Sequence, residues 1–309
     1  MCLSQHFWQF LIPGITLGCL YALIAIGYTL VYGVLQLINF AHSEVFMTGG
    51  FAGLFVCQAL VGTGKVPHGA QSVSYMLAGI CCSAVFGAIV AFLLERVAYR
   101  PLRRRNAPRL IYLITAIGAS LFLFNLAGKL FGRDKANIPD LYTDGVVFTV
   151  FGAQVRVQQL IIVGAAVAMM LALDTVVNRT KLGAGIRAVA QDSQTASLMG
   201  VNINRVISQT FVIGGLLGGA AGFLFGTYLN VHYQIGFLPG IKAFAAAVLG
   251  GIGNIRGAML GGLLLGIVES VSQSCMSSQW IDVVAFVVLI LVLMFRPTGI
   301  LGQRLGRAA

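Results

Sequence analysis

The stretch Asn178–Arg205, NRTKLGAGIRAVAQDSQTASLMGVNINR, is long, polar and basic in a chain that is otherwise mostly apolar. Apolar runs flank it at roughly 157–177 and 206–229, each near the about 20 residues a helix needs to cross a bilayer. It therefore reads as a loop joining two membrane spans. Within it, Asp192 or Ser193 can cap a short helix, and Gly200 can end that helix in the left-handed conformation. The result is about two turns, too few to persist alone in water. Ala196, Leu198 and Met199 would give the helix a small apolar surface, with Arg187 upstream among the polar residues. A helix of this kind needs something to lie against. A soluble partner on the basic side of the membrane, a lipid surface and plain solvent as an ordinary loop are the readings the residues leave open.

Composition points the same way. The 309 residues are 58% hydrophobic and 9% charged, against roughly 25% charged in soluble domains. This predicts an all-α, polytopic transmembrane bundle forming a single transmembrane domain over residues 1–309. Short alternating strands, the mark of an outer-membrane barrel, are missing from the pattern. The net charge of +11 is not a nucleic-acid footprint, because the basic residues sit at the ends of apolar runs and no domain is left to carry a binding face. The six cysteines, Cys2, Cys19, Cys57, Cys81, Cys82 and Cys275, form no CxxC pair and mostly fall in apolar runs, so they read as buried, inert thiols rather than a disulfide or metal site. The N-terminus lacks a basic start, and its apolar run is too long for a cleavable signal peptide.

About eight long spans are expected, at roughly 8–33, 44–62, 74–95, 110–128, 157–177, 206–229, 256–275 and 281–295, with a short or broken helix near 241–252. The clusters Arg96–Arg109 and Arg179–Arg205, together with Arg256, Arg296, Arg304 and Arg307, place most of the basic charge on one side, taken as cytoplasmic. The outer side holds Lys65, Lys129, Arg133, Lys135 and Arg156, partly offset by Asp134, Asp140 and Asp144. This assignment makes 178–205 cytoplasmic and 128–156 extracytoplasmic, either a plain loop or a small ordered cap. It puts the N-terminus outside and the C-terminus inside. It also forces the segment near 235–253 to cross with few residues, as an interrupted helix beside a cavity can do.

Three constellations stand out of the apolar background. In LINFAHSEVFMTGG, Leu37–Gly50, the polar residues Asn39, His42, Ser43 and Glu44 are candidates for a polar translocation path, because ionisable groups inside a membrane are costly. The competing reading puts them at the interface, with Ser43 capping the next helix and Glu44 in its first turn. In IGFLPGIKAFAAAVLGGIGNIRGAMLGG, Ile235–Gly262, an isolated Lys242 either faces a cavity or snorkels to the interface. Finally, Gly214, Gly218, Gly222 and Gly226 recur every fourth residue with Gly215 and Gly219 alongside, and Gly253, Gly257 and Gly261 repeat the spacing. Such glycines let another helix backbone approach closely, so they predict packing rather than chemistry. Gly62–Lys65 is not a phosphate loop, since Val66 stands where Ser or Thr is required. Neither HExxH nor GxSxG occurs. The chain is read as a non-enzyme without a metal site, so any energy for active transport comes from elsewhere.

Taken together, TLGCLYALIAIGYTLVYGVLQLINFAHSEVFM, ERVAYRPLR, LITAIGASLFL, ASLMGVNINRVI, LGGIGNIRGAMLGG and RPTGILG span about residues 14–302. They resemble the branched-chain amino acid permease subunits of ABC importers, in particular the H-type subunits of the Liv system. The resemblance implies a bacterial inner-membrane permease that pairs with a second, related permease subunit and sits on two cytoplasmic ATPase subunits. Those subunits would hold ATP and Mg, with no cofactor on this chain. A periplasmic binding protein would deliver leucine, isoleucine or valine. It also implies that the helix around Asp192–Gly200 docks on an ATPase subunit. Two departures are visible. Ser43 replaces the family's usual glycine, and Phe40 stands where urea permeases of similar sequence carry another residue; Phe40 favours the amino acid reading. The rivals are a urea or other small-solute ABC permease, and a stand-alone transporter coupling ions through Glu44 or His42.

Overall fold

The computed structural model describes residues 2–62, 70–142, 145–150, 152–274 and 280–302. Lys65, Asp144, Cys275, Arg304 and Arg307 lie outside them, as do residues 63–64 of the rejected phosphate loop and Val66; of Cys2 only the backbone is described. The elements follow in order: α1 (Cys2–Leu35), α2 (His42–Val61), α3 (Ala70–Leu94), a π turn (Glu95–Tyr99), α4 (Arg100–Arg104), α5 (Arg109–Leu130), β1 (Val146–Val150), β2 (Ala153–Arg156), α6 (Val157–Arg179), α7 (Lys181–Gln191), α8 (Ser193–Leu198), α9 (Ile203–Tyr228), α10 (Phe237–Gly250), α11 (Ile255–Ser272) and α12 (Ile281–Phe295).

Among the described residues, 7 helical stretches are long and apolar enough to cross a membrane: α1, α2, α3 running on into α4, α5, α6, α9 and α11. The short helix expected near 241–252 is α10, whose 14 residues begin earlier, with Pro239 in the first turn, where its missing N–H is no loss. The eighth expected span is α12, an apolar helix of 15 residues. It ends at Phe295 because Arg296 precedes Pro297, and a residue before proline is driven out of the helical region. Among the described residues, the one pair of strands is a hairpin in the segment expected outside. There β1 and β2 pair antiparallel through a turn at Gly152 (φ 85°), with a bulge between Val146 and Phe148.

Internal contacts divide the chain into two compact units, each assembled from non-contiguous parts. The first comprises Met1–Thr29, Gly145–Asp174 and Lys242–Ala309; the second comprises Leu30–Asp144 and Thr175–Ile241. In the second unit the Arg103 guanidinium donates to Asn204 Oδ1 at 3.0 Å. The two basic segments therefore share one end of that unit. At its other end Ala136 and Val231 form an antiparallel bridge. In the first unit Arg256 pairs with Asp174 at 3.1 Å, and the Asn254 amide donates to the Leu301 carbonyl at 2.8 Å. The Ser270 hydroxyl bonds the Phe10 carbonyl at 2.6 Å at the opposite end of α11.

The second unit is built on α9, which packs α2 on one side and α3 on the other. Glycine sets both contacts, but not as a single face. Gly218 and Gly222 meet α2 at His42, Phe46 and Gly50, Gly215 meets α3 at Gly87 and Ala91, and Gly219 lies between the two, against Gly49 of α2 and Ser83 and Gly87 of α3. Gly214 is buried as well, and Gly226 abuts Val231 and Ile138 beyond the helix end. The expected four-residue spacing thus serves α2 at Gly218 and Gly222, while the glycines alongside it, Gly215 and Gly219, admit α3. In the first unit Gly257 and Gly261 lie against Gly250 and Ala246 of α10. Gly253 does not belong to that repeat; it sits in the turn before α11 with φ 95°.

The cysteines also divide. Cys19 and Cys57 are buried as expected, but Cys81 and Cys82 are exposed on α3. Their neighbours on that outer surface, among them Leu77, Val85 and Phe86, are apolar, so the thiols lie on a surface suited to hydrocarbon.

A Cβ at Gly222 would overlap the Phe46 carbonyl oxygen, whereas one at Gly164 in α6 would meet nothing within 4 Å. Gly222→Val is expected to cost about 3 kcal/mol or more through overpacking, and Gly164→Ala to be neutral or slightly stabilising. Thermal denaturation of the two purified variants in one detergent checks the contrast.

Candidate functional site

The segment opening at Asn178 is more ordered than its polarity suggests. After α6 ends at Arg179, the Thr180 hydroxyl accepts the Gly183 N–H at 3.1 Å and starts α7. This amphipathic helix buries Gly183, Ile186 and Val189. Arg187 reaches back from it and donates to the Val177 carbonyl, satisfying a backbone group that the end of α6 leaves open. Arg187 therefore ties α7 to α6, an assignment its place in the sequence did not suggest.

Asp192 caps α8, its carboxylate accepting the Gln194 N–H at 2.9 Å and the Thr195 N–H at 3.2 Å. Ser193 is the first helical residue rather than the cap. The Thr195 hydroxyl, followed by those two N–H groups, holds the Asp192 carboxyl below the usual aspartate range. The cap is thus complete above the ordinary aspartate pKa and is lost as pH falls through the depressed value. Gly200 (φ 82°) closes the helix, with Gly200 N–H on the Ser197 carbonyl and Val201 N–H on the Ala196 carbonyl, both at 3.0 Å.

The apolar surface of α8 is smaller than expected. Leu198 and Met199 are 88% and 81% exposed, but Ala196 is only 4% exposed. Ala196 points inward, into a cluster with Ile186, Val189, Val206, Tyr99 and Phe211. It is the foot of the helix rather than part of its outer face. Leu198 follows Ala196 by about 200° of helical rotation, which puts it on the opposite side of α8, and Met199 is the cap residue just past the last helical position.

Asn39, His42 and Glu44 are brought together at the start of α2, and all three are buried. Helix α2 begins at His42 with Ala41 as its cap residue and no side-chain cap. Ser43 instead donates to the Phe40 carbonyl at 2.8 Å and to Glu44 at 3.3 Å. Ser43 is therefore not the cap, whereas Glu44 does stand in the first turn of α2. The preceding turn is held by Asn39, whose Oδ1 accepts the Ala41 N–H at 3.1 Å and the Tyr99 hydroxyl at 2.6 Å. Glu44 Oε1 accepts the Ser120 hydroxyl from α5 at 3.1 Å, while Oε2 is buried with no hydrogen-bond partner among the described residues.

Tyr99 connects this turn to the cluster that holds Ala196. One turn before it, fully buried Glu95 accepts from Arg103 at 2.8 Å and from Ser208 of α9 at 2.8 Å. Glu95 and Tyr99 went unrecognised in the sequence. A carboxylate at the end of an apolar run was their one available signal.

Lys242 belongs to the first unit and is not isolated. Its ammonium lies 2.6 Å from Glu269 of α11 and 2.6 Å from Asp282 of α12. Lys242 and Glu269 are buried, which corrects the snorkelling reading. Glu269, a carboxylate deep in an apolar run, is the partner the sequence could have offered.

A bundle of apolar helices joined along glycine seams, with a short capped helix standing out beside its clustered arginines, is the build of a membrane permease. The chain belongs to the family of permease components of branched-chain amino acid transport systems, whose family model matches residues 10–293. It is 45% identical over 304 residues to the high-affinity branched-chain amino acid transport system permease protein BraD of Pseudomonas aeruginosa, covering 96% of each chain. It is 44% identical over 302 residues to the corresponding permease protein LivH of Escherichia coli, again covering 96% of each. A solved ABC transporter of metal-chelate type, inward-facing, shares the fold with a TM-score of 0.52 at 16% identity, over 95% of this chain and 89% of that one.

The ion-paired lysine provides a test of what holds the first unit. Lys242→Met leaves the Glu269 carboxylate buried without its cation and is expected to cost about 3–5 kcal/mol, whereas adding Glu269→Leu recovers most of the loss. Melting temperatures of the single and double variants in detergent decide it.

Proposed function

We propose that this chain is the membrane subunit through which leucine, isoleucine and valine cross the bacterial inner membrane, driven by ATPase subunits that grip α8. It works beside a second, related permease subunit, above two cytoplasmic ATPase subunits that hold ATP and its magnesium ion, and beneath a periplasmic amino-acid-binding protein. The family match and the BraD and LivH relatives, similar over almost their whole length, support the substrate class. One structural observation supports the grip. Leu198 and Met199 stand bare on a helix whose other side is fixed in the core by Ala196. Two exposed apolar residues at the tip of a two-turn helix suit a groove on a soluble partner.

The drive then has a physical route through the second unit. A pull on α8 acts through Ala196 on Val206 and Phe211 of α9, and through Tyr99 on the Asn39 turn that starts α2. The contact of α9 with α2 is lined by glycine, leaving few interlocked side chains to resist sliding. The polar groups Asn39, His42 and Glu44 of the second unit meet the path as its helices shift. Branched aliphatic substrates need an apolar, weakly binding route, since a tight site inside the membrane would trap them; high affinity belongs to the binding protein.

The experiment is the pair Leu198→Glu and Met199→Glu, which leaves the buried foot untouched. The melting temperature of the isolated permease is expected to stay within about 2 °C, as exposed positions allow. Co-purification of the ATPase subunits and ATP-driven leucine uptake into liposomes should both fall at least about tenfold. Uptake at the wild-type level with ATPase still bound would refute the grip. Leucine uptake by liposomes holding this chain alone would refute the ATP-driven reading altogether.

A further inference from the structure

We propose that the cleft formed by Arg96, Arg100, Pro101, Arg104 and Arg105 is a binding site for the phosphate of an anionic phospholipid. The cleft has a volume of about 330 Å³ and is lined by those five residues. It occupies the outward side of the helix that runs from α3 through the π turn into α4, within the second unit. Two series alternate along this helix. Glu95, Tyr99 and Arg103 point inward to the Asn39 and Ser208 network, while Arg96, Arg100 and Arg104 follow one residue later. In an uninterrupted α-helix a four-residue series drifts steadily around the axis. The wider π turn drifts the other way, so passing from π turn to α4 keeps each series on its own side. The π insertion thus sets an arginine row beside the buried carboxylate, about a quarter turn around the helix from it.

Four guanidinium groups around one cleft repel one another unless an anion joins them. The acid closest in sequence, Glu95, is fully buried and engaged by Arg103 and Ser208. Among the described residues, none of Arg96, Arg100, Arg104 and Arg105 forms an ion pair. Arg100 Nε is buried and has no hydrogen-bond partner among them. A phosphate offers several acceptor oxygens to such donors, and guanidinium is the side chain best matched to it.

The neighbouring surface selects the source of the phosphate. Leu93 and Val97, on the same stretch of helix, are 52% and 72% exposed, and Phe92 is 40% exposed. Apolar surface thus gives way to the arginine cleft over one turn, as acyl chain gives way to headgroup at the edge of a bilayer. A soluble phosphate would use the arginines and leave that apolar surface idle; a phospholipid covers both.

The test uses the purified transporter complex and native mass spectrometry, with short-chain phosphatidylglycerol as probe against phosphatidylcholine of the same chain length and against inorganic phosphate. Wild type is expected to hold phosphatidylglycerol at least about tenfold better than phosphatidylcholine, and Arg100→Gln with Arg104→Gln to lose roughly thirtyfold. Arg100→Lys with Arg104→Lys keeps the charge but not the planar fork and is expected to bind phosphatidylglycerol about three- to tenfold more weakly than wild type while still preferring it to phosphatidylcholine; it decides the matter if the glutamine pair does not fold, wild-type binding overturning the arginine assignment. Equal binding of the two lipids, or an equal loss in the control Arg179→Gln, overturns the site. Displacement of phosphatidylglycerol by millimolar inorganic phosphate overturns the lipid as its ligand.

Discussion

The contact between the backbone of α9 and the backbones of α2 and α3 is the constraint on which the second unit depends. In a bilayer there is little hydrophobic gain from bringing two apolar helices together, because lipid tails are as apolar as leucine. Association rests on close van der Waals approach, which needs small residues at the crossing. Gly215 and Gly219 admit α3 at Gly87 and Ser83, while Gly218 and Gly222 admit α2 at His42 and Phe46. A single methyl group on either side lifts the helices apart. The first unit uses the same device where Gly257 and Gly261 meet Gly250 and Ala246.

Close-packed small residues leave few side chains to specify which helices belong together. Buried polar contacts do that work in both units. Glu95 ties the π turn to α9 through Ser208, and Glu44 ties α2 to α5 through Ser120. Lys242 ties α10 to α11 and α12 through two carboxylates. Each polar group would be expensive in hydrocarbon if left alone. Each is correspondingly selective about its neighbour, since only one arrangement of helices satisfies it.

The same features bear on motion. A glycine seam resists separation but offers little to interlock against sliding, whereas a hydrogen-bonded turn moves as a piece. Ala196, Tyr99 and Asn39 form a continuous chain of contacts from the exposed helix α8 to the start of α2. Arg187 ties α7 to α6, and Asp192 caps α8. Coupling of this kind requires contiguous packed elements with more than one arrangement, and the glycine-lined crossings are where a second arrangement costs least.

The sequence by itself determined the class of fold, because a nearly uncharged chain with repeated runs of about 20 apolar residues has few alternatives to helices in a bilayer. It also determined the ends of α8, since an aspartate cap and a glycine in the left-handed region act locally, through backbone groups two or three residues away. The short α10 could be inferred from the alternation of basic loops. Tertiary structure decided everything that depends on which side of a helix a residue occupies. It turned Ala196 inward while leaving Leu198 and Met199 bare, and it split the α9 glycines between two neighbours. It paired Lys242 with residues 27 and 40 positions away. In a membrane helix nearly every side is apolar, so the periodic contrast that tells inside from outside in a soluble protein is missing, and only the neighbouring helices reveal it.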